Sequence, residues 1–172
     1  FFLSDGDNYQ WIMNGFDKDF YSVSSVIPAK MSFGICSQAL EQLAPVQEDY
    51  LFSKQADNST LMECFGGGYF YVDDFATKSD RKAGLELLAE RTAASMKAHR
   101  LKVLHLMAHD VNSDAAKEAY KAFINANDQL EGIVVIQYSP YNGGHGNIMW
   151  FANKEGYDIP VISAVYSLWN GS

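Results

Sequence analysis

At 172 residues and 48% hydrophobic, the chain carries enough apolar material for one sizeable core and too little length for two ordinary domains, so residues 1–172 read as a single domain. A formal charge of −8, with 13 Lys and Arg scattered along the chain, excludes a nucleic-acid surface, which needs clustered cations to displace counterions. No apolar run approaches the roughly 20 residues that span a bilayer, and Cys36 and Cys64 are too few for a disulfide framework and lack metal-finger spacing, so both read as buried thiols.

The chain opens on Phe1, Phe2 and Leu3, which read as the inside of a strand; with no initiator Met, the expectation is a segment of a longer protein. Asp5-Gly6-Asp7-Asn8 follows at once. Further strand-like runs are expected over residues 31–36, 61–65, 101–107, 132–138 and 160–168, mostly short and continuously apolar. Residues 37–55 read as helix, broken at Pro45, which lacks a backbone donor. The clearest helix runs from a Ser79 cap to His99, with Leu85, Leu88, Ala89, Thr92, Ala93 and Met96 forming an apolar stripe. Another follows Ser113, where Ala116, Ala119, Tyr120 and Phe123 keep helical spacing. A short last helix is expected over residues 147–154, capped by Asn147 and stopped near Gly156.

Strand and helix therefore alternate through six strands. This pattern predicts an α/β fold with a parallel sheet and right-handed crossovers, TIM-barrel-like and incomplete because a full barrel takes about 250 residues; an open doubly wound sheet is the alternative. In either arrangement ligands gather at the carboxyl ends of the strands. The unusual stretches all follow strands: Asp5 to Asn8, Cys36-Ser37, Gly66 to Asp74, His109-Asp110, Tyr138 to Gly146, and Ser167 to Asn170.

Three of these carry a resemblance. Gly66-Gly67-Gly68-Tyr69-Phe70-Tyr71-Val72 is similar to the motif that names the bacterial GxGYxYP putative glycoside hydrolase family, departing from it at Val72, where the family has proline. Ser4-Asp5-Gly6-Asp7-Asn8-Tyr9-Gln10-Trp11 and Tyr138-Ser139-Pro140-Tyr141-Asn142-Gly143-Gly144 resemble the same family's C-terminal domain. The resemblance implies a barrel-like domain behind an N-terminal region, a carbohydrate substrate, and a secreted or periplasmic bacterial protein. It supplies no catalytic residues.

Glycoside hydrolysis needs two carboxyls flanking the bond, one protonated and one ionised. Asp5, which directly follows a strand, is the first catalytic candidate, with Asp74 or Asp110 as its partner. Asp73 and Asp74 read equally as a solvated turn, Asp110 as a turn residue, and Glu63 as a paired core charge. Asp7 and Asn8 are candidate substrate contacts, and either also reads as the cap of the helix carrying Trp11. Trp11, Tyr69, Tyr71, Tyr138, Tyr141 and Trp169 are candidate sugar platforms, with Tyr69, Tyr71 and Tyr141 retained as substrate-binding, and Tyr69 and Tyr141 favoured for their flanking glycines. His109 reads as a partner for a sugar hydroxyl, and His145 as an accessible group on a mobile loop that acts as a lid.

A metal reading pairs His105 and His109, an even step apart, with Asp5 and Asp7, as in metal-dependent deacetylases. A non-catalytic carbohydrate-binding domain is the other alternative. Nothing in the sequence requires a cofactor, and no metal ligand is assigned: the glycines lack a dinucleotide fingerprint or P-loop lysine, Asp5-Gly6-Asp7 lacks the later calcium ligands, and no GxSxG elbow is present.

Overall fold

The computed structural model describes residues 1–4, 6, 8–76 and 79–166. Its strands are β1 (Phe2–Leu3), β2 (Met31–Ile35), β3 (Ser59–Cys64), β4 (Val103–Ala108), β5 (Gly132–Gln137), β6 (Ile148–Ala152) and β7 (Asp158–Ser163). They form one sheet in the order β1-β2-β3-β4-β5-β7-β6, curled into a half-barrel as the alternation predicts. All neighbours are parallel except β6 and β7. The helices are α1 (Tyr9–Ile12), α2 (Ser37–Leu43), α3 (Pro45–Ser53), α4 (Arg81–Ala98) and α5 (Asp114–Ala126).

Several local signals act as expected. Pro45 takes the first turn of α3, where its missing donor costs nothing, and so separates α2 from α3. Ser113 caps α5 by accepting the Ala116 N–H at 3.1 Å. The long helix α4 starts at Arg81 after Asp80, one residue beyond the Ser79 cap that the sequence suggests. Trp11 packs edge-on against Phe16 at 5.0 Å and Phe20 at 5.2 Å and belongs to the packing of the 9–26 segment.

The expected helix over residues 147–154 is a strand. Ile148 and Trp150 are exposed while Met149 and Phe151 are half-buried, a period of two that suits a sheet with one covered face. The apparent helix signals belong to a hairpin: Asn153 Oδ1 accepts the N–H groups of Glu155 and Tyr157, and Gly156, at φ +88°, takes the left-handed turn position. The sheet therefore has a seventh strand, and the final pair runs antiparallel.

Register divides the sheet into two faces. Phe33, Ile35, Leu61, Leu104, Leu106, Ile133, Val135 and Val161 point outward into the main core, packed under helix residues such as Leu40, Leu85, Ala89, Tyr120 and Phe123. The alternate residues, including Gly34, Cys64, His105, Met107, Val134 and Ile162, line the inner face. Both cysteines are buried thiols. Among the described residues no helix is long and apolar enough to cross a membrane.

Candidate functional site

The rim is built around the loop that leaves β3. Its first glycines are required by their neighbours: Gly66 has φ +67° and a side chain there would strike the Thr92 hydroxyl at 2.4 Å, while Gly67, at φ +99°, lies against Gln38. Gly68 faces open space. Two of the three glycines thus let the backbone close down on α4 and α2, and the remainder of the motif is delivered to the rim.

Behind the loop stands Arg81. Its Nη2 donates to the carbonyls of Val72 at 3.1 Å and Ala115 at 2.8 Å, its Nη1 to that of Phe75, and its Nε to Glu118 at 2.9 Å. One guanidinium therefore fastens the loop to α5 with donors fixed in a planar fork. The Val72 N–H donates to the Met107 carbonyl at 2.9 Å, fixing the loop to the end of β4. A proline here, as in the family motif, has no hydrogen for that bond.

Asp73 makes the next link. Its two oxygens accept the backbone N–H groups of His109 at 3.1 Å and Asp110 at 2.9 Å, joining the β3–α4 and β4–α5 loops. Asp110 in turn accepts the Asn112 N–H at 2.8 Å, and its carbonyl accepts from Ser113 Oγ, so this residue forms an Asx turn. Below them the Tyr120 hydroxyl donates to Val111 O at 3.0 Å; burial, then the charges of Asp73 and Asp110, push this phenol upward.

Held this way, the loops present one joined aromatic row. Tyr69 and Tyr71 meet edge to face with hydroxyls 3.2 Å apart. Tyr71 meets Tyr138 at 5.5 Å between centroids, and Tyr138 meets Tyr141 at 5.3 Å. The His109 ring stacks on Tyr71 at 3.9 Å, and its Nε2 lies 3.0 Å from Asp74 Oδ2. Both partners of that pair are largely exposed. Of the expected residues, Tyr69, Tyr71, Asp74, His109, Asp110 and Tyr141 are thus connected on one rim. Tyr138, not retained from sequence, bridges the two halves of the row; its place at the end of β5 was the signal for it.

Asn8 and His145 make local contacts. Asn8 caps α1, its side-chain oxygen accepting the Trp11 N–H at 3.0 Å. Asp5, Asp7 and Trp169 fall outside the described residues. His145 is exposed on a turn whose N–H donates to Asn142. That loop is fastened rather than free: Ser163 Oγ donates to Gly144 O at 2.9 Å and Asn147 O at 3.2 Å, and Gly146 N donates to Ala164 O.

Two buried ionisable groups underlie the rim. Among the described residues Glu63 makes no ion pair: it is fully buried near the backbone of Ser37 and Gln38, and burial, helped by Cys36, raises its carboxyl well above the usual range. His105 lies on the inner face between Phe2 at 4.5 Å and Phe65 at 4.7 Å, with Nδ1 3.4 Å from Cys64 Sγ. Burial lowers it to about 3 and keeps the ring neutral. His105 and His109 therefore occupy different environments, and among the described residues no three His, Cys, Asp or Glu side chains converge as a metal site.

Comparison with known proteins agrees with this architecture. No curated protein matches the chain. A solved structure from Bacteroides thetaiotaomicron VPI-5482, described as "a putative hydrolase", superposes with a TM-score of 0.76 at 17% identity, over 98% of this chain and 30% of the other. The chain thus spans under a third of that protein, and the likeness establishes a shared fold. Residues 1–172 match throughout the family described as "GxGYxYP putative glycoside hydrolase C-terminal domain", and the chain belongs to that family.

Proposed function

We propose that the C-terminal rim of the half-barrel is the carbohydrate-contacting surface of an exported glycoside hydrolase. The observation that supports this reading is the row Tyr69-Tyr71-Tyr138-Tyr141 beside the exposed His109–Asp74 pair. Tyrosine offers a sugar an apolar ring with a polar tip, and the imidazole and carboxylate beside the row offer hydrogen bonds to hydroxyls. Asp74, Asp110 and Asp5 are the carboxyls proposed for cleavage; Asp74 and Asp110 are both exposed. Asp7, Asn8 and His145 are proposed as further substrate contacts.

The test is a glycan panel offered to the full-length protein, repeated with Asp5→Asn, Asp74→Asn, Asp110→Asn and Tyr71→Ala. Removing an acid or base costs roughly 100-fold or more in turnover, whereas Tyr71→Ala weakens binding. Unchanged turnover in all three carboxyl variants removes the catalytic assignment. A binding module without catalysis is the second reading, favoured by the use of Asp73 and the Asp110 Oδ1 on backbone N–H groups. It predicts glycan binding that Tyr71→Ala weakens, with no turnover by the parent protein.

A further inference from the structure

The inner face of the sheet is dry at one end and open at the other. Register places Ile148 opposite Ile162, Ile162 beside Val134, Val134 beside His105, and His105 beside Cys64, so these residues form one row across five strands. His105 and Cys64 are buried. Ile148, by contrast, is 49% exposed and Ile162 39% exposed, and in the next row Trp150, opposite Pro160, is 61% exposed. Val134 and Ile136 are half-buried on the same surface. Isolated exposed hydrophobics are ordinary, but a contiguous apolar surface containing a tryptophan marks an interface.

The character of the surface selects its occupant. Branched aliphatic side chains, Ile148, Ile162, Val134 and Ile136, make up most of it, and these suit a protein core and offer no hydrogen bond; Trp150 adds one aromatic ring with a single N–H donor. The surface continues directly into an interior that is already packed, so its covering extends that core. The solved relative has more than two thirds of its chain beyond the part that this chain matches, and the family description names a C-terminal domain. We infer that the inner face of the β5-β7-β6 end is an intramolecular interface, covered in the full-length protein by an apolar segment of the same polypeptide outside residues 1–172. Trp150 is the central anchor of that contact, and the segment completes the interior of the half-barrel.

Hydroxyl-radical footprinting of the unmodified full-length protein tests this without any substitution. Trp150 is oxidised at least roughly tenfold more slowly than Tyr157, which is 65% exposed on the adjacent hairpin turn, although tryptophan is the intrinsically more reactive side chain. That protection persists on dilution. Oxidation of Trp150 as fast as Tyr157 overturns the inference. Protection that disappears on dilution, together with a fall to monomer in sedimentation, assigns the face to a second copy and also overturns it. As an independent measurement, Trp150→Glu lowers the melting temperature of the full-length protein by at least about 5 °C while Tyr157→Glu does not; equal melting temperatures count against a covered face.

Discussion

The loop over residues 65–76 and the loop over residues 138–147 border the same rim, yet they are secured by different means. The first is held by charged side chains reaching from a distance: Arg81 from α4 and Asp73 across to His109 and Asp110. The second is held by close packing, with Gly144 so near Ser163 and Val111 that a side chain would meet Ser163 Cβ at 2.4 Å. Asn147 Nδ2, 3.3 Å from Asn112 Oδ1, connects the second loop to the same β4–α5 turn that Asp73 clamps. Charge-held loops tolerate change in bulk but not loss of a partner, and packed loops show the reverse.

The largest expected separation between them comes from acid. Phe65 opens the first loop with its N–H on the His105 carbonyl and its ring against the imidazole. The unfolded chain protonates this histidine near 6.5, whereas burial lowers it to about 3 in the fold. The folded state therefore binds fewer protons between these values, and stability is lost as pH falls from 6.5 toward 3, by on the order of 4 kcal/mol. Denaturant unfolding across that range reports the slope, and His105→Phe removes it. Glu63 acts in the opposite sense, since its raised carboxyl lowers stability as pH climbs above its unfolded value; Glu63→Gln removes that second slope and isolates the first. The glycines and Ser163 that hold the second loop do not titrate, so its amides keep their exchange protection longest in acid.

Arg81→Ala is expected to cost about 3 kcal/mol, because it leaves three carbonyls without their charged donor. Hydrogen exchange places the loss in residues 65–76; equal loosening of residues 138–147 shows the loops to be one unit. Gly144→Ala costs roughly 1 to 3 kcal/mol by overpacking, with the opposite distribution of exchange. The smallest effect is that of Val72→Pro, about 1 kcal/mol for the bond to Met107, read from the denaturation midpoint. No loss at all shows that the loop accepts the family's proline by shifting its backbone.

Local signals were the legible part of this chain. Pro45 separates two helices and Ser113 caps another by chemistry confined to a few residues, and both act where the sequence put them. The row of strand-end loops was legible for the same reason, since alternation fixes which ends share a rim. Residues 147–154 misled because Asn and Gly serve helix ends and hairpin turns alike, and the choice was made by pairing with β7. Asp73 shows what distance hides: its partners lie 36 and 37 positions onward, so sequence leaves a turn residue and an inter-loop clamp indistinguishable. Gly66 and Gly67 show the same effect, since Thr92 and Gln38, against which they close, lie more than 20 positions away in the chain.

The reversal of β6 also has a practical side. Because this strand runs against its neighbours, the hairpin turn around Asn153 and Gly156 emerges at the end of the sheet opposite the tyrosine row. Lys154 to Tyr157 are largely exposed there, and a side chain at Gly156 would meet nothing within 4 Å. An affinity tag or fluorophore spliced into this turn, or a tether to a solid support, leaves the rim facing solution.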